Sequence, residues 1–188
     1  MNTQTMKSWA SLIAVTMGAL IMSSCSGSVT ADPPSSKEAA IANELFGMVN
    51  AKRQAAGLNK LKPNGTLNNQ SRKHTKWMME NRAKFRSEGR VSQLHNYGSH
   101  SRSYYATQQL RVETVSENVI AGWRLKGDIA QGIFDGWVRN KRQREQMMDD
   151  YYYTGIGVDI DDEGYVFAVQ MFTSAPRPRG RSLNPNVQ

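Results

Sequence analysis

One cysteine stands in 188 residues, at position 25, so the chain forms no internal disulfide, no multi-cysteine zinc site and no thioredoxin-type pair. Its stability must come from packing. Long apolar runs are also lacking: the only one extends from Trp9 to Met22, and its 14 residues fall short of the roughly 20 that a membrane-crossing helix needs. No internal repeat is visible, and none of the serines lies in a Gly-x-Ser-x-Gly elbow. With 39% hydrophobic, 21% charged and 9% aromatic residues, the chain has too much core-forming material for a disordered polymer and too little for a multispanning membrane protein. One soluble globular unit of ordinary size remains.

The apolar run follows a single positive charge at Lys7 and leads into Ser23 and Ser24, the make-up of an export signal. Cys25 comes directly behind it. Met22-Ser23-Ser24-Cys25 resembles the bacterial lipobox, in which the cysteine is lipidated and becomes the new N-terminus, although Leu rather than Met usually leads the box. Val29-Thr30-Ala31 offers a competing cleavage site that would release a soluble protein. A lipid on Cys25 would tether the chain to a membrane without making it a membrane fold. The expected division is a signal over 1–24, a Ser-, Pro- and Gly-rich linker over 25–36, a folded domain over 37–173, and a disordered Arg- and Pro-rich tail over 174–188.

The formal charge is +8, and removing residues 1–24 takes away only Lys7, leaving +7 on 164 residues. Seven Lys or Arg against two Glu lie between Ser71 and Arg90, and three Arg without an acid follow Ser174. These read first as solvated helix faces and a frayed tail, with attraction to anionic headgroups or envelope polyanions as the alternative. Nucleic acid is not an expected partner, because the basic residues are scattered and no binding motif accompanies them, despite Tyr151-Tyr152-Tyr153.

Within the domain, Ser35 or Ser36 caps a helix in which Ile41, Leu45, Met48 and Val49 recur at helical steps until Gly57. Pro63-Asn64-Gly65 is a turn. Leu67, Ser71, His74 and Met78 mark one face of a second helix reaching about Ala83, with His74 expected to be buried and hydrogen-bonded. From Ser87 to Tyr105 the chain is polar and reads as a long loop holding His95 and His100. A strand region lies within Val112–Trp123, Asp128 caps a third helix through Ile133 and Trp137, and Lys141–Asp150 reads as a short extra turn of helix. Ile156, Val158 and Ile160 alternate, Asp161 to Gly164 turn the chain, and Tyr165–Phe172 returns as an apolar central strand. Helices first and a hairpin last give an α+β domain with helices covering a small antiparallel sheet.

Several landmarks occur in a recognisable order. They are Val49-Asn50, Arg53, Gly57-Leu58 and Leu61, then His95, Ser116-Glu117-Asn118-Val119, Trp137 six residues ahead of Gln143-Arg144, and Gly155-Ile156-Gly157-Val158. Together they resemble the CAP superfamily of cysteine-rich secretory, antigen 5 and pathogenesis-related proteins, in its disulfide-free bacterial branch, over residues 40 to 173. The resemblance implies a three-layer α-β-α sandwich, a secreted life, and a cleft tetrad of two His and two Glu that binds a divalent metal in some members. His95 then matches the first histidine and Glu117 the Glu of a Gly-Glu-Asn motif, with Ser116 in place of Gly. Asn140 stands where the second Glu would be, and Gln143 where the second His would be, while Arg144 keeps its place.

Zinc is held by His, Cys and carboxylate ligands, usually three or four of them, and a Gln carbonyl is a poor substitute. His95 and Glu117 alone would make a weak, incomplete site for zinc or magnesium, so no cofactor is expected to be required. His100 is the spare imidazole of the same segment and reads as solvated. The same two residues could cross-link two segments and keep a cleft in shape, bind a ligand, or act as an acid and base pair, although no nucleophile is evident. The resulting expectation is a non-catalytic module of the cell envelope that binds a polymer, lipid or peptide, with a hydrolase using Glu117 and His95 as the alternative.

Overall fold

The computed structural model describes residues 33–125 and 127–176. Cys25, the apolar run, Lys126 and the tail beyond Pro176 lie outside the described residues. In chain order the elements are α1 (Ser36–Ala55), β1 (Lys62–Pro63), α2 (Gly65–Ser87), a 3-10 turn (Val91–Asn96), α3 (Ser99–Leu110), β2 (Val115–Trp123), α4 (Ile129–Arg139), α5 (Lys141–Met148), β3 (Tyr153–Ile160) and β4 (Tyr165–Thr173). None of the described helices is long and apolar enough to cross a membrane.

The caps explain where the helices begin. At α1, Ser35 Oγ accepts from the Glu38 amide while Glu38 accepts from the Ser35 amide, a reciprocal capping box. Asn64 caps α2 through the Leu67 amide and Asp128 caps α4 through the Gln131 amide.

The sheet order is β1-β3-β4-β2, with β3 and β2 antiparallel to the central β4. β1 adds a two-residue parallel pairing to β3, so the sheet is not wholly antiparallel. Alternation along β4 divides the core. Val166, Ala168 and Phe172 face the layer of α1, α4 and α5, where Leu45, Val49, Ile133, Trp137 and Met147 are buried. Phe167, Val169 and Met171 face α2 and α3, against Leu67, Met78, Phe85 and Ala106. A strand covered on both faces needs apolar residues at odd and even positions alike, hence the unbroken run in the sequence. The result is the three-layer α-β-α sandwich.

The residues carrying the family resemblance hold these layers together. The Asn50 amide group closes on Leu61 in both directions, donating to its carbonyl at 3.1 Å and accepting from its N–H at 2.8 Å. Arg53 is 1% exposed and donates to the carbonyls of Asn59, Met147, Asp149 and Tyr151, which ties α1 to the segment after α5. At Gly155 and Gly157 a Cβ would collide with the backbone of α2 at Leu67-Asn68 and Ser71-Arg72. Their bare backbones let the helix lie directly on β3, where Ser71 Oγ donates to the Gly155 carbonyl and Asn68 Oδ1 accepts from the Ile156 amide.

The segment 87–105 departs from expectation. It is not a long loop: α2 runs on to Ser87, the 3-10 turn follows, and α3 begins at Ser99 behind Gly98, whose φ of 68° suits glycine. α3 escapes a hydrophobicity pattern because its inward stripe of Arg102, Ala106 and Leu110 opens on a charged residue. Lys141–Met148 likewise forms a complete short helix.

Candidate functional site

Glu117 sits on β2, an edge strand hydrogen-bonded only to β4 within the sheet. Odd-numbered positions of β2 face α2 and α3, as Val115 and Val119 do in packing on that layer. Around the open side of this strand runs a cleft of about 400 Å³, between the 3-10 turn and α3 on one wall and the α4–α5 corner on the other. His95, His100, Glu117, Asn140 and Gln143 all line it. Arg144 does not: its guanidinium turns to the Val138 carbonyl at 2.7 Å and closes the end of α4.

The decisive contact at Glu117 comes from a residue fifteen positions upstream that no motif singles out. Arg102 of α3 grips the carboxylate with both ends of its fork, Nη2 at 2.8 Å from Oε1 and 3.1 Å from Oε2, and Nε at 3.3 Å from Oε2. The two side chains are 13% and 12% exposed, so water screens the pair weakly. Arg102 also donates to the Tyr97 carbonyl, which fastens α3 to the turn before it. Glu117 is thus joined to a guanidinium, and the expected loop-to-loop link to an imidazole is replaced by this ion pair.

His95 is held through its backbone. Its carbonyl lies 3.1 Å from Nε2 of His74, which must be the donor because a carbonyl only accepts. His74 is 3% exposed, and its pKa is lowered to about 3 by burial first and by the Arg102 charge second. It is therefore a neutral strut between α2 and the cleft wall. Trp77 stacks on Tyr97 at 4.5 Å and Trp137 is fully buried, so both serve packing.

Asn140 and Gln143 have structural duties. Asn140 ends α4 and caps α5, its Oδ1 accepting from the Gln143 amide at 3.2 Å. Gln143 Nε2 donates to the Val119 carbonyl at 2.7 Å on the open edge of β2, and its own carbonyl accepts from Asn118 Nδ2 at 2.8 Å. One amide side chain thereby covers an edge carbonyl that would otherwise lack a partner. Ser116 Oγ accepts from the Tyr151 hydroxyl at 2.7 Å.

This donor set does not fit a resident metal ion. Among the described residues no group of three or more His, Cys, Asp or Glu side chains converges, although His95, His100 and Glu117 share the cleft. A guanidinium occupies Glu117, and the amide nitrogen of Gln143 is engaged by Val119.

The pattern of the CAP, cysteine-rich secretory protein family matches residues 46–172. The chain belongs to this family. An outer surface protein from Borrelia burgdorferi is similar in structure, at 16% identity over 72% of this chain and 93% of that one, with a TM-score of 0.52. A cysteine-rich secretory protein from Staphylococcus aureus is 15% identical over 75% of this chain, with a TM-score of 0.48. An extracellular SCP-domain protein from Bacillus anthracis is 19% identical over 76%, also with a TM-score of 0.48. The matches span only 40% and 44% of those two chains. No curated protein sequence matches. For this CAP domain the likeness carries the fold, and its chemistry has to be read from its own cleft.

Proposed function

We propose that this protein is an exported CAP domain, tethered to a membrane through Cys25, whose cleft binds a ligand without turning it over. The observation that carries the binding reading is the fork of Arg102 on Glu117. An acid and base pair would set Glu117 against His95, and here both carboxylate oxygens instead accept from the Arg102 guanidinium across a largely desolvated contact. Export and tethering rest on the apolar run that ends at the only cysteine. If Cys25 is lipidated, the mature chain partitions into the detergent phase and Cys25→Ala abolishes this; recovery of a native soluble form starting at Asp32 would show cleavage after Ala31 instead.

The experiment on the cleft is a turnover screen of peptidoglycan fragments, peptides and lipid esters with the unmodified chain and Glu117→Gln. The binding module shows no Glu117-dependent turnover in either form. A turnover that falls by about 10² or more in Glu117→Gln while the variant remains folded at the assay temperature would overturn the proposal in favour of a hydrolase.

A further inference from the structure

The outer edge of β2 is covered unevenly. Backbone groups of a strand in an antiparallel pair point alternately toward the partner and away from it. The Arg124 amide donates inward to the Gly164 carbonyl, while the Val119 carbonyl points outward to Gln143. Odd positions of β2 therefore present their N–H and C=O away from β4. Gln143 covers the Val119 carbonyl, but at Ala121 and Trp123 no described residue meets the outward groups. Both residues are exposed, Trp123 at 56%. A bare edge of this kind is a template for another strand.

A cavity of about 220 Å³ lies beside the same stretch, walled by Met78, Leu94, Tyr165 and Phe167 and bordered by Ala121 and Trp123. It is smaller than the roughly 300–1,000 Å³ of a complete ligand pocket, and suits one apolar side chain. A residue paired opposite Ala121 sends its side chain to the same face of the sheet as Ala121, which is the face of the cavity. Free main-chain groups next to a pocket for one side chain are the two elements of recognition by strand addition. The rim is cationic. Arg82 is engaged by Asp161 at 2.9 Å and by Glu163 at 3.4 Å. Arg86 reaches the Tyr165 hydroxyl and Arg124 lies over the Trp123 ring, with no carboxylate within ion-pair distance of either among the described residues. A second copy of this chain, whose formal charge is +8, would bring the same cations to the edge, so charge favours an acidic partner of another kind.

We propose that the outer edge of β2 at Ala121–Trp123 docks an extended, acidic peptide segment of another protein, which adds a strand to the sheet and seats one apolar side chain in the cavity beside Trp123. The partner residue opposite Ala121 exchanges two backbone hydrogen bonds with it, and an acidic residue opposite Trp123 lies beside Arg124. The site is separate from the Glu117 cleft and stands or falls apart from the reading proposed for that cleft.

The test is an NMR titration of the mature chain with acetyl-Glu-Thr-Leu-Thr-Glu-amide, whose symmetric sequence offers an acid near Arg124 in either strand direction. Saturable shifts are expected at the Ala121 and Trp123 amides. Methylating the leucine nitrogen of the peptide removes a main-chain donor and should weaken binding at least tenfold. Alanine in place of the leucine, or lysine in place of both glutamates, should do the same. On the protein, Ala121→Pro deletes an outward N–H while leaving the ladder to β4 intact, a change that edge strands accept, and should also weaken binding at least tenfold. Arg124→Glu should narrow the preference for the glutamate peptide over the lysine peptide at least threefold. Melting curves confirm that each variant folds, and the methylated peptide makes the Ala121→Pro test on the unmodified chain. Equal affinity of the methylated and unmethylated peptides, shifts confined to the Glu117 cleft, or no binding at all would overturn the proposal. A concentration-dependent dimer in sedimentation, lost in Ala121→Pro, would overturn it in favour of a second copy at this edge.

Discussion

The Arg102–Glu117 pair makes a quantitative prediction through a double-mutant cycle. With side chains 13% and 12% exposed, removing one partner leaves a charge that is poorly solvated and uncompensated. A fully buried pair loses about 3–5 kcal/mol on such a change, and a pair at the lip of a cleft should lose about 2–4 kcal/mol in Arg102→Met. Glu117→Gln keeps an acceptor oxygen and loses the charge, for about 1–3 kcal/mol. Once either member is gone the second has less to lose, so the double variant should fall short of the summed losses by at least about 1 kcal/mol. Urea unfolding monitored by circular dichroism gives these differences from the shift in midpoint, provided the slopes agree. A separate readout tests the geometry. The Arg102 charge is the second cause of the low His74 pKa, so Arg102→Met should raise it from about 3 in an NMR titration, while Glu117→Gln should not. Additive losses, within about 0.5 kcal/mol, would refute the coupling and with it the claim that the guanidinium occupies Glu117.

Two further outcomes follow. Zinc calorimetry should show weak or no binding by the unmodified chain, and Gln143→His combined with Arg102→Met should tighten it at least tenfold in a way that His95→Ala abolishes. Tight one-to-one binding by the unmodified chain would contradict the reading of the donor set. The second outcome is a pH profile governed by opposed groups. His74, lowered to about 3, supports folding fully above its ordinary pKa of 6.5, and that support declines as pH falls from 6.5 to 3, by on the order of 5 kcal/mol. Asp159 is raised to about 6 by burial and by the neighbouring Glu38 charge, so its support is full below 3.8 and declines as pH rises to 6, by about 1–3 kcal/mol once solvent screening of this half-buried carboxyl is allowed for. Between about 4 and 6 the two slopes should cancel, and Asp159→Asn should turn that plateau into a steady loss of stability on acidification; a plateau unchanged in Asp159→Asn would count against the assignment.

The helices with apolar stripes, α1, α2 and α4, and the hairpin of β3 and β4 were legible because periodicity records burial and their caps are standard side chains at standard offsets. α3 was not legible. Its inward face is built from Arg102, whose burial is stabilised by a carboxylate fifteen residues away, and pattern cannot anticipate a polar group satisfied by a partner distant in sequence. The same limit applied at the cleft. Locating His95, Glu117, Asn140 and Gln143 around one site was within reach of the family resemblance, but their bonding was not. Arg102 four residues ahead of Ala106 and eight ahead of Leu110 was the local hint of a helix with an ion-paired face.

The residues that make this chain recognisable as a CAP domain differ in kind from those that set its chemistry. Asn50 and Arg53 satisfy carbonyls inside the fold, and Gly155 and Gly157 provide the clearance that lets α2 touch β3. Each answers a constraint of backbone geometry or buried polarity that any ligand leaves untouched. At the cleft, Asn140 caps a helix and Gln143 covers an edge carbonyl, tasks that keep the corner of α4 and α5 in place without an imidazole or a second carboxylate. A salt-bridged arginine can hold the Glu117 carboxylate in position as a divalent ion would, since it supplies positive charge and directed contacts to both oxygens. It offers no open coordination position and activates no water. The Glu117 carboxylate and the corner of α4 and α5 are therefore held in place by side chains alone, and under the proposed binding role the shape and polarity of the cleft walls select the ligand.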